Sequence, residues 1–242
     1  RADGEFEQRV AIKCLRRVVS DDQIQQRFLA ERQILARLQH RSIAYILDGG
    51  VDEHGHPWFA MEFVDGENIV EYCDQRELSL SQRIELFLEV CDAVAFAHNN
   101  LVVHRDLKPA NILVTTTKAV SQTGASAQVK LLDFGVARLI DDDVDSEQHE
   151  GGESPVHQPL TPDYAAPEQV LGQPVTVATD VYALGLLLYE LVSGQQAQKV
   201  TDTDAQALIS TVCQAVPAIP SSVASARNRR SVKGELDAIV MK

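Results

Sequence analysis

Val102-Val103-His104-Arg105-Asp106-Leu107-Lys108-Pro109-Ala110-Asn111-Ile112-Leu113-Val114 decides the fold of this chain. Its apolar ends, Val102-Val103 and Ile112-Leu113-Val114, have the composition of short buried strands. Between them Pro109 marks a turn, and His104, Arg105, Asp106, Lys108 and Asn111 crowd it with polar groups that serve no packing purpose. Asp106 and Asn111 are five apart, close enough on a loop to converge on one small volume. A carboxylate there can accept a hydroxyl proton, an amide oxygen can ligate a hard cation, and Lys108 can neutralise developing negative charge. The set suits phosphoryl transfer, where a protein mainly positions groups and stabilises charge.

The stretch His104–Asn111 resembles the catalytic loop of eukaryotic-type protein kinases. Asp133-Phe134-Gly135 and Ala166-Pro167-Glu168 follow in the order that family requires, and upstream Val10-Ala11-Ile12-Lys13 resembles its ATP-lysine strand. Leu47-Asp48-Gly49-Gly50, Tyr164–Gln169 and Thr179–Gly185 are most similar to bacterial serine/threonine protein kinases. The resemblance covers nearly the whole chain. It implies an α+β, two-lobed fold: a small β-rich N-lobe with one helix (residues 1–64) and a larger, mostly helical C-lobe (residues 65–242). It also implies a catalytic domain truncated at both ends, with the Gly-rich phosphate loop lying before Arg1 and the last helices after Lys242.

Residue roles follow from the same resemblance. Asp106 is the expected catalytic base and Lys108 contacts the transferring phosphate. A lysine at that position marks serine/threonine rather than tyrosine kinases. Lys13 holds the α and β phosphates and pairs with Glu31, and Ala11 roofs the adenine. Met61 is the gatekeeper, the backbone of Glu62 and Val64 hydrogen-bonds adenine, and Leu113 packs beneath it. Asn111 and Asp133 are the metal ligands. The structural and regulatory set is His104, Arg105, Phe134, Gly135, Thr161, Glu168 and Asp180. Within it Phe134 packs toward Leu35 and His104, Thr161 contacts the catalytic Asp and Lys, and Asp180 bonds the catalytic-loop backbone. Arg105 implies control by activation-segment phosphorylation, since a buried-side arginine wants an anion. In the centre of that segment, Asp133–Glu168, only Ser146 and Ser154 carry hydroxyls. The arginine that normally pairs with Glu168 is expected to be missing, leaving Glu168 without its partner.

Composition agrees with this reading. The chain has 242 residues, 45% hydrophobic and 24% charged, enough for one sizeable core or two lobes sharing a cleft. A net charge of −13 argues against nucleic acid as a partner. ATP remains compatible, because it arrives with Mg²⁺ (Mn²⁺ being the alternative ion) and needs only a local positive site. Cys14, Cys73, Cys91 and Cys213 form no C-x-x-C pair and are expected to be reduced, buried thiols. The apolar run Val181–Val192 is too short to span a bilayer and suits a core helix. A cytoplasmic location is expected, with a membrane tether for the parent protein outside this sequence.

Along the chain, strands are expected at Gln8–Leu15, Ser42–Val51, Trp58–Val64 and Val129–Leu132. Helices are expected at Ser20–Leu38, Glu67–Gln75, Ser79–Asn100, Thr179–Ser193 and Asp202–Val216, with shorter ones starting at Ala165 and Gly234. Ser20/Gln23 and Ser79/Gln82 have capping-box spacing, and Gly194 suits a helix C′ position. In the first helix Ile24, Phe28, Leu35 and Leu38 form an apolar stripe that includes Glu31, a carboxylate that needs a cation there. Thr115–Gln128 is expected to be a flexible insertion, Asp141–Glu153 a solvated acidic loop and Pro217–Arg230 an irregular connection. The function expected is an ATP-dependent kinase acting on protein Ser/Thr hydroxyls, with self-association and autophosphorylation. The alternative is a pseudokinase scaffold. A small-molecule kinase of similar fold is disfavoured by the Ala166–Glu168 platform.

Overall fold

The computed structural model describes residues 8–15, 26, 32–117, 126–134, 161–201 and 204–242. The first sheet is antiparallel, ordered β1-β3-β2, with β1 Val10–Cys14, β2 Ile46–Val51 and β3 Pro57–Glu62. Alternation sorts β1: Ala11 and Lys13 are half-buried while Val10, Ile12 and Cys14 face outward. Cross-strand register sets Ala11 opposite Met61 and Lys13 opposite Phe59. Strand β3 is central, so Phe59 and Ala60 are both buried although they point to opposite faces. The β2–β3 turn is closed by the Asp52 carboxylate, which accepts the N–H groups of His54 and His56.

The strand expected from Ser42 begins only at Ile46. Ser42–Ala44 are drawn instead to the second sheet: Leu131 N–H donates to the Ser42 carbonyl (2.8 Å) and Ala44 N–H to the Leu131 carbonyl (2.9 Å). Of the expected Ser20–Leu38 helix, residue 26 and residues 32–36 are described and helical. Leu35 and Leu38 are buried.

After β3 the chain crosses to the second part of the molecule at Gly66, where an added Cβ would stand 2.9 Å from the Val114 carbonyl oxygen. Only glycine lets the backbone pass this close. The second sheet, ordered β4-β5-β6, comprises β4 Glu67–Asn68, β5 Ile112–Thr117 and β6 Ser126–Leu131. Glu67 and Asn68, expected in a helix, are therefore strand, and Asn68 caps α1 (Ile69–Gln75) through its side chain. The supposed insertion is paired at both of its ends: Thr115, Thr116 and Thr117 pair with Gln128, Ala127 and Ser126. Residues 118–125 lie outside the described residues.

Helix α2 (Leu80–Asn99) opens with the Ser79/Gln82 capping box and buries Leu86, Val90, Ala93, Val94 and Ala97. It packs on α4 (Val177–Ser193), whose C-terminus closes at Gly194 with φ 77°. Arg83, buried between them, donates to the carbonyls of Leu78, Cys73 and Leu191 and to the Asp74 carboxylate. That compensates a charge which would be costly if unpaired. Val102-Val103 is not a strand. Its donor Val102 N–H closes the end of α2 on the Ala97 carbonyl, and the following His104 N–H goes to Asp180.

Short helices complete this part: α3 Pro167–Val170, α5 Ala205–Ile209 running into a π-turn at Ser210–Gln214, α6 Pro220–Val223, α7 Arg229–Val232 and α8 Glu235–Val240. The expected irregular connection is thus partly helical. Ser221 bonds the Asp237 carboxylate through both its N–H and its hydroxyl, clasping α6 to α8, while Ala224 and Val232 are buried. All four thiols are free, but only Cys73 is fully buried, and Cys14 is exposed because it lies on the outer face of β1. Burial pushes the Cys73 and Cys91 thiols up to about 11, so both are protonated and inert near neutrality. Among the described residues no helix is long and apolar enough to cross a membrane.

Candidate active site

The site is built outward from Asp180, which is 1% exposed in the first turn of α4. A helix N-terminus favours a carboxylate electrostatically. One oxygen, Oδ2, accepts the His104 N–H (2.7 Å), and Oδ1 accepts the Arg105 N–H (2.9 Å). Arg105 has φ 68°, a conformation that costs a non-glycine residue about 1 kcal/mol or more. Asp180 holds its N–H side, and Gln169 Nε2 donates to its carbonyl at 2.8 Å. His98 Nε2 lies 2.7 Å from Asp180 Oδ2. His98 and Gln169 were not anticipated, although His98 follows Cys91 and Val94 at helical spacing on the apolar face of α2.

His104 is fully buried, with its ring 4.7 Å from that of Phe134. Its Nδ1 accepts the Asp106 N–H (3.3 Å), so Nε2 carries the proton and donates to the Leu132 carbonyl (2.8 Å). Burial holds its pKa below the ordinary value of 6.5, against the opposing pull of the Asp180 carboxylate. Phe134 and Leu35 belong to one buried cluster.

The chemistry-bearing groups converge next to this frame. Asp106 Oδ2 is 2.9 Å from Lys108 Nζ and 3.0 Å from Asn111 Nδ2. Asn111 Nδ2 also donates to the Asp106 carbonyl (2.8 Å), and Lys108 Nζ donates to Thr161 Oγ1 (2.7 Å). The amide nitrogen of Asn111 is thereby committed, and its carbonyl oxygen is the atom suited to a cation. The Asn111 backbone carbonyl accepts the Leu132 N–H (2.8 Å), tying the loop to the strand end that delivers Asp133. Hard oxygen donors from Asn111 and Asp133 match a small divalent ion coordinated partly by phosphate.

A pocket lined by Lys13, Ala44, Ile46, Phe59, Met61, Asp133 and Phe134 lies between the first sheet and the segment that follows β6. Lys13 Nζ lies 3.1 Å from Asp133 Oδ2. Glu31 and Gly135 lie outside the described residues. Ala11 stands opposite Met61 across β1–β3, and Leu113 faces Asn68 and Lys130 across β5. The Glu62 N–H donates to the Tyr45 carbonyl (2.9 Å), so its carbonyl is the backbone group it could offer to a base. Val64 is half-buried in the crossing segment. Glu168 is not left alone, since the Thr179 hydroxyl donates to its carboxylate. Tyr164 donates to Glu190, another unanticipated residue, and anchors the Ala165–Ala166 turn.

The chain matches the Protein kinase domain family over residues 3–239. It belongs to the protein kinase family. Serine/threonine-protein kinase PkaA of Streptomyces coelicolor is 39% identical over 194 residues, 79% of this chain and 33% of that protein. PknB of Mycobacterium leprae is 33% identical over 238 residues, 96% of this chain and 35% of that protein. The domain therefore spans about a third of the length of these relatives. The crystal structure of a cysteine-to-alanine variant of the Mycobacterium tuberculosis PknI kinase domain superposes with a TM-score of 0.64 at 25% identity, covering 98% of this chain and 76% of that one. The fold is that of a kinase, with a β-sheet N-lobe and a helical C-lobe. Kinases of this family in general use ATP and a divalent metal.

Proposed function

We propose that this domain transfers the γ-phosphate of ATP to Ser and Thr hydroxyls of proteins. The observation that carries the reading is the convergence of Asp106, Lys108 and Asn111 in one hydrogen-bonded cluster, with Lys108 joined to Thr161. Mg²⁺, or Mn²⁺ in its place, would supply neutralisation of phosphate charge, held by Asn111 and Asp133. Asp106 orients the acceptor hydroxyl and takes its proton as that oxygen bonds the γ-phosphorus and the bond from phosphorus to the β–γ bridging oxygen breaks, releasing ADP. Lys108 stabilises charge on the transferred group, and Thr161 keeps Lys108 aimed at it. Lys13 holds the inner phosphates, exchanging part of its contact with Asp133 for them. Ala11, Met61, Leu113, the Glu62 carbonyl and Val64 enclose the base.

The lobe boundary is placed at Val64/Asp65, next to the Gly66 crossing. Regulation through Arg105, self-association, autophosphorylation and a cytoplasmic location belong to the same proposal. The described site residues all suit transfer, and a partner-binding scaffold finds no support among them. Incorporation of labelled γ-phosphate into Ser or Thr, measured on the full-length protein and on a basic acceptor, tests the reading with Asp106→Asn as control. Equal incorporation by wild type and the variant would sink it.

A further inference from the structure

Lys130 is an ammonium side chain on β6 with 7% of the residue exposed, and the transfer chemistry makes no use of it. Antiparallel register sets it directly opposite Leu113, so both side chains leave the same face of the second sheet. From that face Lys130 Nζ reaches Glu62 Oε2 at 2.9 Å and stands 4.9 Å from the centroid of the Tyr45 ring. Glu62 ends β3, where the chain leaves the N-lobe. Its Oε2 also accepts the Tyr45 N–H at 3.3 Å, and its own N–H donates to the Tyr45 carbonyl. One carboxylate thus ties the segment entering β2, the end of β3 and the C-lobe strand β6 to a single point.

A pair in this setting is a poor stabiliser in its own right, since desolvating both ions offsets most of their attraction. Its geometry is informative instead. One end sits on the residue whose carbonyl is proposed to meet the base, the other beside the residue proposed to lie beneath it. We propose that Lys130 is a positioning residue for adenine: its bond to Glu62 sets the spacing between the crossing segment and the Leu113 floor. This rests on the nucleotide reading above. It assigns a role in base recognition to a residue that touches neither phosphate nor metal.

The test compares wild type with Lys130→Met, Lys130→Arg, Glu62→Gln and the Met/Gln double variant in the full-length protein. Each is measured for affinity to ATP and to Mg²⁺-tripolyphosphate, for KM and kcat, and for Tm. Lys130→Met should weaken ATP binding and raise KM by about tenfold, leaving tripolyphosphate affinity and kcat nearly unchanged. Lys130→Arg should recover most of the loss. The double variant should be no worse than Lys130→Met. Wild-type affinity for ATP in Lys130→Met, or an equal loss for ATP and tripolyphosphate, would overturn the inference while leaving the kinase reading intact. If Lys130→Met does not fold, the same split between ligands is expected in Glu62→Gln, and its absence there counts equally against the proposal. Failure of wild type to bind ATP would overturn the nucleotide reading itself, and this inference with it.

Discussion

The two walls of the cleft are built on different principles. On the C-lobe side the catalytic loop hangs from a fully buried Asp180, whose oxygens take two backbone N–H groups and face His98. Across the cleft, Lys13 of the N-lobe meets Asp133 at 3.1 Å with 37% and 29% of their side chains exposed. A buried network is rigid and costly to disturb, whereas a half-exposed ion pair is weak and exchangeable. The difference suits their tasks. Under the proposed function, a wall that performs proton transfer must be preorganised, and a wall that receives phosphates must give up one partner for another.

The sharpest way to probe the C-lobe wall is Asp106→Asn. Phosphate transfer should fall by about 10³-fold while ATP affinity, measured by equilibrium binding, changes little. A large loss of affinity instead would show that Asp106 belongs to the nucleotide wall. Asp180→Ala should come next. Removing one carboxylate strands several buried donors, so chemical denaturation should show about 3 kcal/mol of lost stability, and transfer should decline with it.

His104 adds a pH dependence to the same wall. Its folded pKa is depressed, so the folded state binds fewer protons than the unfolded chain does near the ordinary value of 6.5. Its contribution is complete above that value and is lost as pH falls from 6.5 toward the lower folded pKa. Tm should therefore drop on acidification in this window, and less steeply in His104→Phe. Equal slopes in the two proteins would remove His104 from the account. The smallest stability effect is expected from Lys13→Met, within about 1 kcal/mol, although ATP affinity should fall clearly. If that variant unfolds as readily as Asp180→Ala, the contrast between the two walls is wrong.

Much of the site was legible because its parts are contiguous. Asp106, Lys108 and Asn111 lie within one turn-forming stretch, and the Ser79/Gln82 box and Gly194 cap report helix ends from neighbouring residues. Where expectation and structure part, a distant partner had claimed the backbone. Val102 N–H returns to Ala97 instead of forming a strand, and Ser42 and Ala44 bond Leu131 instead of extending β2. The threonines after Val114 look like a polar insertion, yet they find partners across β5–β6. Short helices α6–α8 carry too few turns for a periodic signal and are held by the Ser221–Asp237 clasp.

Sequence alone determined the family, the order of its motifs and the chemical groups brought to the cleft, because local spacing constrains turns, caps and the loop that carries Asp106. Tertiary structure alone decided which partner each of those groups would take. His98 and Asp180 are 82 positions apart, and Glu62 and Lys130 are 68 apart. Such pairings depend on helix docking and strand register, which no local pattern encodes. Lys130 looks like an ordinary strand lysine until register places it opposite Leu113 and within reach of Glu62.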